Sequence, residues 1–247
     1  MNSELDTRLE ADWRPSPNCE PRRNGLRPTV LLMHYTGMAR ADAAIGWLCT
    51  QESRVSCHYL VDCEGRITQM VREDERAWHA GESCWMGETD INSASIGIEI
   101  HNPGHDAGYP DFPEAQMHAV EALSLDILSR HNIPPRRVLA HSDVAPQRKA
   151  DPGEKFSWEM LARAGVGHWV SPAPLAIGGL EPTAPDAHTV LRVQTLLANY
   201  GYDCPITGTV CPRTANVIKA FQRHFRPALV DGNIDGSMID TLERLAR

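Results

Sequence analysis

The chain has no long apolar run. Nothing in its 247 residues approaches the roughly 20 consecutive apolar residues that a membrane-spanning helix needs. Residues 1–25 carry Glu4, Asp6, Glu10, Asp12 and Arg14 and lack an apolar stretch, so no secretory signal is expected there. The residues before Cys19, Pro15-Ser-Pro-Asn18, do not form the apolar segment that precedes a lipidated cysteine. Positive charge is in deficit. The 24 Lys and Arg face 32 Asp and Glu, a net of −8, which argues against wholesale electrostatic binding to nucleic acid. Closely paired cysteines are missing too. The seven, Cys19, Cys49, Cys57, Cys63, Cys84, Cys204 and Cys211, are odd in number and contain no C-x-x-C. A reducing compartment is the simplest expectation, hence the cytoplasm, with the periplasm as the alternative if a leader has been removed. Cys57 and Cys63 read as small buried hydrophobes.

What is present describes a folded protein. Hydrophobic content of 42% and charge of 23% are globular values, and the length suits one large or two ordinary domains. Residues 1–24 are polar and rich in Pro and Arg, an extended arm. Thr29-Val-Leu-Leu-Met33 is a continuous apolar run ending at His34, as in a strand buried on both faces. Residues 41–50 predict a helix with Ile45 and Leu48 inward. Residues 56–61 and 67–71 flank the turn Asp62-Cys-Glu-Gly65 and predict a hairpin. Residues 77–81 predict a loop and 95–100 a second apolar strand, interrupted by Glu99. Residues 114–131 predict a helix whose Met117, Val120, Leu123, Ile127 and Leu128 share one face. A short strand over 137–140 and a helix over 154–164 follow. Strands alternating with helices, plus one hairpin, indicate an α/β domain on a mixed central sheet. The expected organisation is an arm over 1–24, this domain over 25–168, a Pro-rich linker over 169–187 and a small three-helix domain over 188–247.

The chemistry concentrates in His141-Ser-Asp-Val-Ala-Pro-Gln-Arg-Lys-Ala-Asp-Pro-Gly153. A strand delivers His141 to the rim and the loop returns Asp151 to the same place. The two residues either bond to each other or share a metal. His34, at the end of an apolar strand, is the best placed third ligand. Two His and one Asp would leave a fourth position open on a zinc ion, the mark of a catalytic site. Glu99, a carboxylate inside an apolar strand, needs either a pocket or a salt-bridge partner. Lys149 is either a solvated loop lysine or a cation for an oxyanion. His58 reads as a structural histidine.

Five motifs in order, Met33-His-Tyr-Thr36, Cys57-His-Tyr-Leu-Val61, Trp78-His-Ala-Gly81, Ser95-Ile-Gly-Ile-Glu99 and the 141–153 loop, resemble the type 2 zinc N-acetylmuramoyl-L-alanine amidases, relatives of the peptidoglycan recognition proteins. The resemblance spans about residues 25 to 165. It implies that His34, His141 and Asp151 bind Zn2+, that Glu99 activates water and that Lys149 stabilises the transition state. The bond cut would be the amide between the lactyl group of N-acetylmuramic acid, intact or 1,6-anhydro, and L-alanine of the stem peptide. Trp78, His79, Asn92, Ala145 and Arg148 become candidate substrate contacts. Peptidoglycan fragments are the implied partners, with no role for nucleic acid. Some relatives of this fold are non-catalytic peptidoglycan receptors, but the full set of two His, Asp, Glu and Lys here favours the enzyme.

Residues 188–247 resemble the three-helix peptidoglycan-binding domain often attached to such enzymes. Ala220-Phe-Gln222 and Val230-Asp-Gly232 fit its pattern, whereas Thr207-Gly-Thr209 stands where a first Asp-Gly turn belongs. The tail either binds the cell wall or is a stabilising appendage packed on the amidase domain. Because every catalytic motif precedes the linker, a chain cut after about Pro174 is expected to stay active on soluble muropeptides.

Overall fold

A computed structural model of the chain describes residues 5–175 and 185–247. Residues 1–4 and 176–184, the start of the expected arm and the middle of the expected linker, lie outside the described residues. The frame is a six-stranded sheet with order β1-β5-β4-β7-β3-β8. Its strands are β1 (Ala11–Trp13), β3 (Val30–Tyr35), β4 (Tyr59–Val61), β5 (Ile67–Gln69), β7 (Ser95–Ile100) and β8 (Val138–Ala140), and all neighbours run parallel except the β4–β5 hairpin. A separate antiparallel pair joins β2 (Cys19–Pro21) to β6 (Glu75–Ala77). The arm is thus extended, as its composition suggests, but it is stitched into both sheets. Arg22 is buried and donates to the carbonyls of Glu73, Asn92, Ser93 and Ser95. These bonds satisfy a charge that would otherwise be costly to bury.

The two long strands alternate. Leu31 and Met33 with Ile96, Ile98 and Ile100 pack against α3 (Glu114–Arg130) through Met117, Val120, Leu123 and Ile127. The other face carries Val30, Leu32 and His34 of β3 beside Ser95, Gly97 and Glu99 of β7, paired in that order. The 29–33 run is therefore buried on two different faces, as its continuous apolarity predicts. On the second face lie α1 (Ala41–Leu48), α2 (Ile91–Ala94) and three further helices, α6 (Ala187–Tyr200), α7 (Pro212–Phe225) and α8 (Gly236–Leu245).

The helix expected over 154–164 is shorter, α5 (Trp158–Arg163). Upstream of it Tyr109 Oη donates to Pro152 O at 2.8 Å and accepts the Lys155 amide at 3.0 Å, so that amide is engaged outside a helix.

The C-terminal helices do not stand apart. Val30, Leu32, Leu139, Val144 and Ala145 share one apolar core with Val193, Leu197, Val217, Phe221, Phe225 and Leu242. Each such side chain contributes roughly 1.5–3 kcal/mol by leaving water, so the C-terminal unit is packed on the amidase domain through a shared core. The first part of the expected linker is packed as well. Trp169 and Val170 contact the core, and Ala173 bonds to Thr241 and Ser237 through its amide and carbonyl. Within this unit the two turns differ in sequence but not in capture. Gln194 Oε1 accepts the Thr207 and Gly208 amides, and Gln222 Oε1 accepts those of Asp231 and Gly232. Gly208 and Gly232 have φ of 74° and 81°, which spares both turns a Cβ penalty. Among the described residues no helix is long and apolar enough to cross a membrane.

Candidate metal centre and active site

Strand register assembles the site. β7, β3 and β8 are adjacent and parallel, with His34 opposite Glu99 and Met33 opposite Ala140. Glu99, His34 and His141 consequently emerge side by side at the carboxyl ends of three neighbouring strands, where open parallel sheets characteristically place ligand sites. His141 opens a single helical turn, α4 (His141–Val144), and the loop beyond it brings Asp151 back. A bond from the Ser142 amide to Asp151 O, 3.0 Å, ties the two ends of that loop together.

Three atoms converge. His34 Nδ1 and His141 Nδ1 are 2.9 Å apart, and Asp151 Oδ2 lies 3.3 Å from the first and 3.0 Å from the second. Hydrogen bonding on the far sides of the rings fixes what these atoms are. Ser95 Oγ donates to Ile91 O at 2.5 Å and so accepts from His79 Nε2, 3.2 Å away. His79 Nδ1 is then an acceptor, and takes the proton of His34 Nε2 at 2.9 Å. His34 Nδ1 is left with a bare lone pair. His141 Nε2 faces Ala80 O at 3.1 Å and must donate, so its Nδ1 is bare as well. Burial and the neighbouring His141 push the His34 imidazolium pKa down to about 4, and burial holds His79 well below the ordinary value.

Two lone pairs and a carboxylate oxygen aimed at one point repel one another unless a cation lies between them. Ligand bonds of about 2.0–2.1 Å in a tetrahedron give edges of roughly 3.3 Å, close to the spacings found. These residues therefore fit a zinc ion. A second group, His34, Cys57 and His79, also lies close together, but its His–His contact is the hydrogen bond just described and Cys57 is fully buried.

A cavity of about 310 Å³ opens over this point, bordered by Glu99, Lys149, Trp78, His79, Tyr35 and Trp47 as well as the three converging residues. Glu99 Oε2 is shielded from solvent and has no hydrogen-bond partner among the described residues. Burial, with Asp151 adding to it and Lys149 opposing, raises the Glu99 pKa well above the carboxylate range. The salt-bridge alternative for Glu99 thus gives way to the pocket. Trp78 Nε1 is also shielded without a partner.

The remaining candidates sit elsewhere. Asn92 Oδ1 accepts the His79 and Ala80 amides at 2.9 and 2.7 Å and so shapes the 77–81 loop. Ala145 and Arg148 border a second cleft of about 880 Å³, beside Asp203 and Arg213 of the helical unit. Arg148 donates to the carbonyls of Ala80 and Glu82. His58, fully buried, accepts the Gly97 amide at 3.0 Å, as a structural histidine would. Sequence reasoning missed Ser95, Gly97 and the Ala80 carbonyl. A Cβ on Gly97 would stand 2.6 Å from His79 Nδ1 and 2.9 Å from Cys57 Sγ, so only glycine lets His79 reach His34. The signal was available: Ser95-Ile-Gly-Ile-Glu-Ile100 alternates, and Ser, Gly and Glu fall on one face.

Comparison with known proteins gives a consistent result. Residues 24–154 match the N-acetylmuramoyl-L-alanine amidase family, and residues 187–242 match a putative peptidoglycan binding domain. The chain is 42% identical over 226 residues to the N-acetylmuramoyl-L-alanine amidase AmiD of Escherichia coli, a match covering 85% of this chain and 79% of the relative. A solved complex of E. coli AmiD with anhydro-N-acetylmuramic acid-L-Ala-D-gamma-Glu-L-Lys superposes with a TM-score of 0.74 at 37% identity, covering 98% and 93% of the two chains. AmpDh3 of Pseudomonas aeruginosa, solved with an anhydromuramic pentapeptide, gives a TM-score of 0.75 at 30% identity, with 92% and 94% covered.

Proposed function

The chain belongs to the N-acetylmuramoyl-L-alanine amidase family, and on that premise we propose that it uses zinc to cut the amide joining muramic acid, intact or 1,6-anhydro, to L-alanine of the stem peptide. It is a hydrolytic amidase of peptidoglycan turnover or recycling. The observation that carries the zinc assignment is the convergence of two bare Nδ1 atoms and Asp151 Oδ2 beneath the cavity. The muramyl peptides bound by two solved relatives support fragments of the same chemistry as occupants here.

Zinc held by His34, His141 and Asp151 would polarise the scissile carbonyl and bring the pKa of a water to about 7. The chain's own groups do the rest. Glu99, free of any competing donor, takes the proton of the attacking water and later passes it to the leaving alanine nitrogen. Its raised pKa favours the later step, in which it gives the proton up as an acid. Lys149 faces the negative charge that grows on the former carbonyl oxygen. His79, Ser95 and the Ala80 carbonyl hold the two imidazoles in the required tautomers, and Asn92 holds the loop that supplies two of these groups. Trp78 and His79 border the cavity as substrate contacts. Ala145 and Arg148 would meet substrate that extends into the second cleft.

Incubation of the zinc-loaded protein with a defined muropeptide, followed by mass spectrometry, tests the reaction. Release of the intact stem peptide with a free L-alanine amine, together with the free N-acetylmuramic acid or its 1,6-anhydro form, is expected. Binding without turnover, or cleavage only within the glycan or the peptide, would overturn it.

A further inference from the structure

The helical unit reaches the metal-carrying turn through one buried carboxylate. Asp143 is two residues beyond His141 on the same turn and is fully buried. Its Oδ2 accepts the amide of Ala140, the residue that leads into His141, at 2.8 Å. This bond closes the turn on itself. The other donors to Asp143 come from the C-terminal unit. Tyr202 Oη donates to Oδ1 at 2.7 Å, and His224 Nδ1 donates to Oδ2 at 2.6 Å. His224 is itself clamped, with its ring stacked on Trp158 of α5 at 3.8 Å between centroids. Tyr202 is fully enclosed and meets Trp85 edge-on at 5.0 Å. Neither donor is a surface group that happens to touch the turn.

We propose that Tyr202 and His224 are positioning residues for the metal centre, acting through Asp143 to fix where the backbone presents His141. The proposal rests on the zinc reading above but assigns the helical unit a task other than holding the cell wall. The physical reason is the shortage of other restraints. Asp143 has three hydrogen-bond donors, and the amidase domain supplies only one of them, from the turn itself. Without Tyr202 and His224 a buried carboxylate would lack most of its donors and would turn toward whatever water or amide it could find. The turn would follow, and His141 Nδ1 would leave the point that it shares with His34 and Asp151. Groups hydrogen-bonded directly to a metal ligand commonly change metal affinity or activity by roughly 10–100-fold when removed, and Tyr202 and His224 act on His141 through Asp143 and the Ala140 amide.

The test measures zinc affinity by competition with a fluorescent chelator on the full-length protein, with kcat and KM on a soluble muropeptide alongside. Tyr202→Phe removes a single hydroxyl. His224→Phe keeps a ring against Trp158 but removes the donor, whereas His224→Asn keeps an N–H donor near the place of Nδ1. Tyr202→Phe and His224→Phe are each expected to weaken zinc binding by about 10–100-fold and to lower kcat with little change in KM. His224→Asn is expected to recover most of that loss. His141→Ala serves as the control that separates the two claims: a wild type that binds zinc no better than His141→Ala defeats the metal assignment itself. If wild type binds zinc and His141→Ala does not, while Tyr202→Phe and His224→Phe bind it as wild type does, the contacts are scaffold alone and the inference is wrong. Should His224→Phe fail to fold, Tyr202→Phe decides by itself.

Discussion

Two carboxylates with oxygens shielded from water stand on the same domain and are treated in opposite ways. Glu73 receives Tyr59 Oη at 2.7 Å, His131 Nε2 at 2.7 Å and two nitrogens of Arg130 at 2.7 and 3.2 Å. Burial pushes its pKa up, but the bonds from His131, Arg130 and Tyr59 outweigh it and bring the value down to about 2. Glu99 is shielded too, yet its Oε2 receives nothing, and its pKa rises. The difference lies in the donors around each group, since both lose water. A carboxylate surrounded by donors is part of the scaffold. One left without them keeps a lone pair free for a substrate or a water, at some cost in stability.

The contrast can be broken most sharply at Glu99. Glu99→Gln is expected to lower kcat by about 10²–10⁴-fold, the scale of a general base, and to abolish the acidic limb of the pH–rate profile. That limb exists because the base works only when ionised, so turnover should rise with pH through its raised pKa. The sign for stability is opposite. A carboxyl whose folded pKa is raised loses stability as pH climbs from its ordinary value near 4.5 toward the folded one. In metal-stripped protein at neutral pH the Gln variant should therefore melt no lower than wild type. A near-normal rate would remove Glu99 from the mechanism.

Lys149→Ala comes next, with an expected loss in kcat of about 10²–10³-fold and little change in KM or zinc content. Arg at this place should restore only part, because a planar fork is a poor copy of a compact ammonium. If KM rises alone, Lys149 binds substrate and does not serve the transition state.

Glu73→Gln should leave turnover nearly intact and reduce stability by up to about 3 kcal/mol, the equivalent of its pKa depression. Here the folded pKa lies below the unfolded one. Its stabilisation is whole above about pH 4.5 and fades as pH falls toward about 2. Chemical denaturation of both proteins across that window should show the wild type converging on the variant. A constant gap would mean that packing, not charge, is what the substitution disturbs.

The sequence disclosed the site better than its supports. His34, His141 and Glu99 stand out because a polar residue at the end of an apolar strand, or a carboxylate within one, needs a reason, whereas Lys149 and Asp151 rest on the composition of the 141–153 loop and on the family resemblance. Which ring nitrogens of His34 and His141 converge on Asp151 is not visible in the sequence, because a tautomer depends on what stands behind the ring. The chain from Ile91 O through Ser95 and His79 to His34 crosses three elements. Among the supports, strict alternation in β7 places Gly97 on the same face as Glu99 and so marks it in the sequence. The three C-terminal stripes were read correctly as helices with buried faces: Val193, Val217 and Leu242 are all fully enclosed. Periodicity says that a stripe is buried and not against what. Part of that burial is against the sheet, so the appendage packed on the amidase domain is the alternative that the shared core supports. Short helices fared worst: the expected helix over 154–164 lost its first turn to a tyrosine hydroxyl 46 residues away.

The most direct test of the account is the metal count. Elemental analysis of wild type and of the His34→Ala, His141→Ala and Asp151→Ala proteins, each dialysed against the same zinc buffer, should give one zinc per chain in the first and almost none in the other three. Three protein ligands are the fewest found in zinc sites that keep a position open, and each of these supplies one of the converging atoms. A full zinc complement in His141→Ala would contradict the assignment of the centre.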